Sequence, residues 1–177
     1  MQRNVTVRTG PNIAVVKYWG KRDAGPLNLA CNGSISLTID NKDLCSLTSA
    51  ATSPDFATDR LWLNGKEEDI ANTKRLKLVL GQVRAKCTDE TLKNQKIHIV
   101  SANSFPTAAG LASSAAGLAA LSLALATLLK VKDTFPGELT TICRMGSGSA
   151  CRSLSGGLVE WVMGERKDGT DSIGIQR

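Results

Sequence analysis

The chain has 177 residues, of which 42% are hydrophobic and 21% charged, as in a globular domain with one substantial core. Its net charge of +6 suits small anionic ligands such as phosphates, whereas an aromatic content of 4% argues against a stacking surface for nucleic acid. Five cysteines without Cys-x-x-Cys spacing and one histidine give little support to zinc or disulfide frameworks, so we expect a reduced cytoplasmic protein.

The N-terminal third predicts mainly strands. Val5–Thr9 alternates in polarity and is broken by Gly10 and Pro11. Ser34–Ile39 alternates strictly and predicts a half-buried strand, with Cys45–Ala50 as its expected antiparallel partner.

A polar cluster ends the apolar run that begins at Asn12, after the break at Gly10 and Pro11. The apolar run from Asn12 ends in Lys17-Tyr18-Trp19-Gly20-Lys21, where two lysines four residues apart flank two aromatic residues. These residues could form an anion site with aromatic walls, but the pattern also fits a strand end with solvated lysines.

The next segment predicts a hairpin and an amphipathic helix. Asn64 and Gly65, within Leu61–Glu67, supply the positive φ values that a type I′ turn needs. Apolar residues from Leu76 to Val83 recur at helical spacing, and the basic residues around them indicate a solvated outer face.

A loop of small residues lies between a strand and a helix in the second half. Ile97–Val100 predicts the strand, Leu118–Leu129 predicts a buried helix, and Asn103–Gly117 between them has no bulky side chain after Phe105 apart from Leu111. This arrangement is typical of phosphate binding at a helix N-terminus. Ser113 and Ser114 could equally be caps of a core helix.

The C-terminal part predicts a short helix from Pro136 to about Met145, then a Gly/Ser segment, Gly146–Ser153. The glycines, hydroxyls and arginine of this segment suit a second anion site or a flexible turn. A strand is predicted at Gly156–Val162, and Gly164–Arg177 is expected to be a loop without a closing element. Strands in the first half and helices in the second favour an α+β fold, with residues 1–177 as one domain and no membrane span.

Three stretches together resemble the diphosphomevalonate decarboxylase family: Asn12–Asp23, Asn103–Gly117 and Gly146–Ser153. The Pro-x-x-x-Gly-Leu-x-Ser-Ser-Ala pattern is shared with the galactokinase, homoserine kinase, mevalonate kinase and phosphomevalonate kinase superfamily, while the other two patterns are specific to the decarboxylase. The resemblance implies the superfamily's N-terminal domain, which is ribosomal protein S5 domain 2-like. It covers nearly the whole chain but only about the N-terminal half of the family's chain.

The resemblance also implies a reaction and its ligands. Family members use Mg²⁺-ATP to phosphorylate the 3-hydroxyl of mevalonate 5-diphosphate, and loss of phosphate and CO₂ then gives isopentenyl diphosphate for isoprenoid and sterol synthesis. Full-length members are expected to be homodimers.

Lys17 and Ser114 would be catalytic, with Ser114 also near Mg²⁺. The residues that would contact substrate are Tyr18, Trp19, Gly20, Lys21, Arg75, Ser147, Gly148, Ser149, Ala150, Cys151 and Arg152. Those that would contact ATP are Asn103, Pro106, Ala108, Ala109, Gly110, Leu111, Ser113 and Ser114.

Two departures from the family pattern affect these expectations. Ala30-Cys31-Asn32-Gly33-Ser34 replaces the usual Pro-x-Asn-Ser-Ser, which alters a loop near the substrate but keeps Asn32. The family's catalytic Asp lies in a C-terminal Asp-Ala-Gly-Pro-Asn motif that these 177 residues lack, since Asp23-Ala24-Gly25-Pro26 stands in an unrelated loop. We therefore expect an inactive or nearly inactive chain, either a fragment of the enzyme or a short isoform that binds nucleotide or a partner. A superfamily kinase that does not decarboxylate is a third, weaker alternative.

Overall fold

The computed structural model describes residues 2–22, 25–106 and 113–177 of the chain. Nine strands in these residues form two sheets: β1 Arg3–Thr9, β2 Asn12–Val16, β3 Ser34–Thr38, β4 Ser46–Ser53, β5 Arg60–Leu63, β6 Lys66–Glu68, β7 Lys96–Asn103, β8 Gly157–Trp161 and β9 Gly174–Gln176. The described α-helices are α1 Lys74–Lys86, α2 Glu90–Asn94, α3 Ser113–Leu128 and α4 Glu138–Gly146. The predicted α+β class is confirmed.

The first sheet has the strand order β1-β4-β7-β5-β6, and only the β5–β7 pair is parallel. β1 and β4 pair along their full facing length, from Arg3 opposite Thr52 to Thr9 opposite Ser46. The predicted hairpin joins β5 to β6, and Asn64 and Gly65 take φ values of 49° and 83°. The turn thus uses the left-handed conformations that Asn and Gly tolerate.

The main core lies between this sheet and the helices. The buried residues of α1 are Leu76, Val79, Leu80 and Val83, which form the predicted apolar face. They belong to one cluster with Ile97 and Ile99 of β7 and Leu125 of α3. The small side chains of α3 let this helix lie against β1 and β4, where Thr9 Oγ1 donates to the Ala116 carbonyl at 2.8 Å.

The second sheet, ordered β2-β3-β8-β9, carries a smaller core on one face, where Trp161 and Cys151 are buried with Ala30. On its other face Ile13, Leu37 and Leu158 lie side by side across three strands and are 42%, 50% and 41% exposed. We call this surface, with Val15 and Ile35, the apolar face of the second sheet. Exposure of so many large apolar side chains is unusual for an isolated monomer.

Two expectations from the sequence are wrong. β4 does not pair with β3: it lies between β1 and β7 in the first sheet, while β3 lies between β2 and β8. Alternation shows which side chains share a face but does not identify the neighbouring strand. The C-terminal segment does have a closing element, because Gly174–Gln176 pairs with β8 as β9. Within the residues that the structure describes, no helix is long and apolar enough to cross a membrane.

Candidate active site

The turn after β2 presents the first predicted motif and is shaped by Asn32. Asn32 Oδ1 accepts the backbone N–H of Trp19 at 3.0 Å, and Asn32 Nδ2 donates to the Lys17 carbonyl at 3.2 Å. The Lys17 ammonium nitrogen lies 5.8 Å from the Trp19 ring centre, and Trp19 is 82% exposed. Asn32 therefore keeps the structural role that the motif needs although its flanking residues differ from the family pattern.

Lys21, at the other end of the motif, is also exposed and held by an amide. Its ammonium donates to Asn28 Oδ1 at 2.6 Å, and an isolated bridge to Ala30 fixes its backbone. Within the described residues neither Lys17 nor Lys21 has a carboxylate at ion-pair distance. Both positive charges remain available to an anion.

Arg152 is the buried cation of the site. It is 3% exposed; its Nε donates to Asn12 Oδ1 at 2.9 Å and its Nη1 donates to Ser34 Oγ at 2.8 Å. The guanidinium carbon lies 5.9 Å from the Tyr18 ring centre and 5.8 Å from that of Trp161. Burial lowers the pKa of Arg152, and no carboxylate of the described residues forms an ion pair with it. Neutral oxygens and aromatic rings thus fix this guanidinium without cancelling its charge.

Tyr18 links the two predicted substrate motifs. Its ring meets Trp161 edge-on, with centroids 4.6 Å apart and planes at 67°. A Cβ at Gly148 would lie 3.0 Å from the Tyr18 hydroxyl oxygen and 3.2 Å from the Trp161 ring. Only glycine fits without displacing an aromatic ring, so Gly148 allows the second motif to approach the first closely.

The second motif is an ordered helix rather than a flexible turn. Gly148–Arg152 forms a 3₁₀ helix whose backbone begins after Ser147, and Ser147 and Ser149 are half-buried. Ala150 and Cys151 are buried, and the Cys151 thiol donates to the Gly148 carbonyl. Burial raises the pKa of Cys151 to about 12, so the thiol stays protonated. Ala150 and Cys151 are 0% and 1% exposed as whole residues, so the structure does not present these two predicted substrate residues at the surface.

A separate cleft of about 310 Å³ lies where β5 and β7 meet the helices α1 and α3. Asn103, Ser113 and Ser114 stand at its polar end. Its apolar walls are Leu61, Leu63, Leu76, Ile99, Leu118 and Leu121. The cleft therefore combines a helix N-terminus that carries hydroxyl donors with an apolar cavity of the size that small ligands occupy.

Side chains around the helix start are held in place from the first sheet. Asn103 Oδ1 accepts a hydrogen bond from Ser46 Oγ at 2.6 Å, and the Asn103 backbone N–H donates to Asn64 Oδ1 at 3.1 Å. Ser114 is exposed and Ser113 is half-buried. Pro106 is exposed beside this region, whereas Ala108, Ala109, Gly110 and Leu111 lie outside the described residues.

The structure thus sorts the predicted residues into two groups. Tyr18, Gly148 and Arg152 lie together around Trp161 on the buried side of the second sheet. Lys17 and Lys21 flank Tyr18 in the chain and contact Trp19 and Asn28. Arg75 lines the other cleft, with Asn103 and the α3 serines, although we predicted it as a substrate residue. A cation at that position suits a phosphate group that lies between the two ligands.

Sequence reasoning missed several residues that shape the site. Asn12 and Ser34 hold the Arg152 guanidinium, Trp161 forms its aromatic wall, and Asn28 holds Lys21. Asn12 stands at the start of the first motif, and this position was the only sign in the sequence that Asn12 belongs to the site. Ser34 lies 118 positions from Arg152, whereas Asn28 and Trp161 lie nearer in the chain to Lys21 and Arg152 but belong to no spacing rule that identifies them.

Comparisons with known proteins identify the family of the chain. A family described as the diphosphomevalonate decarboxylase-like N-terminal domain matches residues 9–174. A diphosphomevalonate decarboxylase of Eremothecium gossypii is 52% identical over 97% of this chain, which covers 45% of that protein.

Solved structures match over the same region. The mevalonate diphosphate decarboxylase from Trypanosoma brucei has a TM-score of 0.89 and 46% identity over 98% of this chain and 45% of its own. The mevalonate diphosphate decarboxylase from Enterococcus faecalis, whose structure concerns mevalonate diphosphate mediated ATP binding, has a TM-score of 0.83 and 36% identity over 100% of this chain and 52% of its own. The chain spans about half the length of these relatives. The chain therefore belongs to the diphosphomevalonate decarboxylase family, of which it carries the N-terminal domain.

Proposed function

We propose that this chain is the ATP- and substrate-binding half of a cytoplasmic enzyme that converts mevalonate 5-diphosphate to isopentenyl diphosphate for isoprenoid and sterol synthesis. The observation that carries the proposal is the pairing of two sites on one domain. One site presents Arg152 beside Tyr18, with no ion-pair partner among the described residues, and the other is a cleft at the start of α3. The reaction needs both, because it joins an anionic substrate to a nucleotide phosphate.

The cations of the first site suit the substrate's charges. Mevalonate 5-diphosphate carries a diphosphate and a carboxylate, and Arg152 offers a planar fork that can bind either group bidentately. Lys21 and the hydroxyls of Ser147 and Ser149 stand in the two motifs that meet at Tyr18. Lys17 is exposed next to Trp19 and is free to approach the reacting hydroxyl and carboxylate.

The cleft suits ATP. Its apolar end would hold the nucleoside between side chains such as Leu63 and Leu118, and its polar end would bind phosphates through Asn103, Ser113, Ser114 and the first N–H groups of α3. The helix dipole favours negative charge at that end. Arg75 lines the same cleft and would add a positive charge beside the phosphates.

The donor set also fits Mg²⁺ that arrives with ATP. The Ser114 hydroxyl is exposed at the helix start and is the hard oxygen ligand that Mg²⁺ prefers. No group of three or more metal-binding side chains occurs in residues 2–22, 25–106 and 113–177, so phosphates and water would supply most of the coordination. When bound, the ion would neutralise charge on the transferred phosphoryl group.

The reaction proceeds by positioning and charge neutralisation. The 3-hydroxyl oxygen of the substrate bonds to the γ-phosphorus while the bond to ADP breaks, and the hydroxyl proton passes to the family's carboxylate or to water. Departure of the new phosphate then draws electrons from the carboxylate carbon–carbon bond, which forms the alkene and releases CO₂. Arg152 and Lys17 hold the anionic groups during these steps. The carboxylate that would orient or deprotonate the hydroxyl in the family pattern is not among the 177 residues.

An alternative is a non-catalytic module that binds nucleotide or a partner. The cleft at α3 favours it, because Asn103, Ser113 and Ser114 line this cleft within the one domain. A superfamily kinase without decarboxylation is less consistent with Lys17-Tyr18-Trp19-Gly20-Lys21, which is the decarboxylase pattern.

One set of measurements on the purified chain separates these functions. We expect the chain to bind mevalonate 5-diphosphate and Mg²⁺-ATP in calorimetric titrations, but to release neither CO₂ nor phosphate. Binding of ATP without mevalonate 5-diphosphate would favour the non-catalytic module. Binding of neither ligand would refute the proposal, and turnover would refute the inactivity of the chain.

A further inference from the structure

The Lys21 ammonium is held by a neutral amide. It donates to Asn28 Oδ1 at 2.6 Å, and among the described residues no carboxylate lies within ion-pair distance of it. A carboxylate in the place of this amide would also accept a hydrogen bond from the ammonium but would offset its charge. Asn28 therefore orients Lys21 and leaves its charge available to an anion.

Asn28 itself is anchored to the end of α4. Its Nδ2 donates to the carbonyls of Arg144 and Met145, both at 2.9 Å. The last four carbonyls of a helix have no partner inside it, so the Asn28 amide satisfies two of them from another part of the chain. Its backbone φ is 52°, a left-handed conformation that Asn tolerates better than most residues. The geometry of Asn28 is thus fixed at both its backbone and its side chain.

Arg144, near the C-terminal end of α4, stabilises the same junction, which is the contact between the Leu27–Asn28 segment and the end of this helix. This fully buried arginine donates through Nε to the Leu27 carbonyl at 2.8 Å and through Nη1 to the carbonyls of Gly169 and Ser172. It thereby ties the residue before Asn28 to the C-terminal segment. Because α4 runs directly into Ser147, any shift of this junction moves the second motif relative to Lys21.

We propose that Asn28 is a positioning residue that sets the Lys21 ammonium relative to the Ser147–Arg152 segment, so that the two motifs hold one substrate between them. The inference rests on the proposed function and deepens it. Asn28 is expected not to touch the substrate, and its effect on binding passes through Lys21.

The test is a double-mutant cycle in the affinity for mevalonate 5-diphosphate, measured by calorimetry on the 177-residue chain. Asn28→Leu removes the acceptor and both donors at nearly constant volume, and we expect about tenfold weaker binding. In a Lys21→Ala background the same change should weaken binding less than threefold. Equal losses in both backgrounds would mean a merely structural role and would overturn the inference.

A second variant and a control keep the test sharp if Asn28→Leu folds poorly. Asn28→Asp retains an acceptor for Lys21 but neutralises its charge, so it should also weaken binding severalfold. Asn94→Leu removes a comparable hydrogen bond to the Glu90 carbonyl in α2 and should leave the affinity unchanged. Wild-type affinity in both Asn28 variants would overturn this inference but would leave the proposed function standing. Absence of binding by the unmodified chain would overturn the proposed function and, with it, this inference.

Discussion

Replacement of Arg152 by alanine tests the substrate site most sharply when it is compared with Arg84→Ala. Arg152 donates to Asn12 and Ser34 from a position that is 3% exposed. Arg84 makes two 2.8 Å contacts with Asp59, and both of these side chains are about one-fifth exposed. The two arginines thus have comparable structural contacts, but only Arg152 lies at the site.

The expected magnitudes follow from these contacts. Arg152→Ala loses two hydrogen bonds and Arg84→Ala loses three, since Arg84 also donates to the Gln95 carbonyl at 3.1 Å, and either loss should lower the free energy of unfolding by about 2–3 kcal/mol. For Arg152→Ala, loss of a charged fork to the diphosphate or carboxylate should weaken the affinity for mevalonate 5-diphosphate by about 10–100-fold. For Arg84→Ala the affinity should stay within about twofold, because Asp59 and α1 lie away from Arg152.

The assay is calorimetry at a temperature where circular dichroism shows each variant folded. Arg152→Lys is a useful third variant, since it retains the charge but not the fork and should fall between wild type and Arg152→Ala. Equal losses of affinity in Arg152→Ala and Arg84→Ala would refute the assignment of Arg152 to the substrate.

Three further predictions concern packing, charge and association. Gly148→Ala should lower stability by about 1–2 kcal/mol because the new Cβ meets Tyr18 and Trp161, whereas Gly156→Ala, with open space around its Cβ, should be near neutral in a denaturant titration. Burial opposes ionisation of Asp59, but hydrogen bonds from Arg84 and the Ile97 N–H outweigh it and lower its pKa below 3.8. The stability that the Asp59 carboxylate contributes is therefore complete well above pH 3.8 and is lost as the pH falls through the lowered pKa of Asp59 in the folded state. The melting temperatures of wild type and Asp59→Asn should accordingly converge in acid. A difference in melting temperature that stays constant with pH would contradict this prediction. The apolar face of the second sheet should make the chain self-associate, and sedimentation should show that Leu37→Glu reduces association while Val100→Glu, at a similarly exposed position on the first sheet, does not.

The elements that the sequence predicted well are those defined by local pattern. The Asn64-Gly65 turn requires positive φ values at both residues, and the apolar spacing of α1 defines a buried face, so neither depends on distant contacts. The position of β4 and the existence of β9 depend on partners more than ten residues away, and the sequence gives no local sign of either.

The site shows the same division. Motif residues such as Lys21 and Arg152 were predicted because the stretches that contain them resemble the decarboxylase family's patterns, whereas their types and spacing alone left solvated lysines and a flexible turn open. The residues that orient them were missed, because Ser34 reaches Arg152 across 118 positions and Asn28 reaches the end of α4 across more than 115. Such contacts arise only when the two motifs fold against each other.

The most direct test of two ligand sites on one domain is backbone hydrogen exchange, followed by mass spectrometry, of the 177-residue chain with each ligand in turn. Mevalonate 5-diphosphate should slow exchange in peptides covering Lys17–Lys21 and Ser147–Arg152. Mg²⁺-ATP should slow it at the start of α3 and around Asn103. Unchanged exchange in all four regions, or protection confined to peptides elsewhere in the chain, would contradict the account.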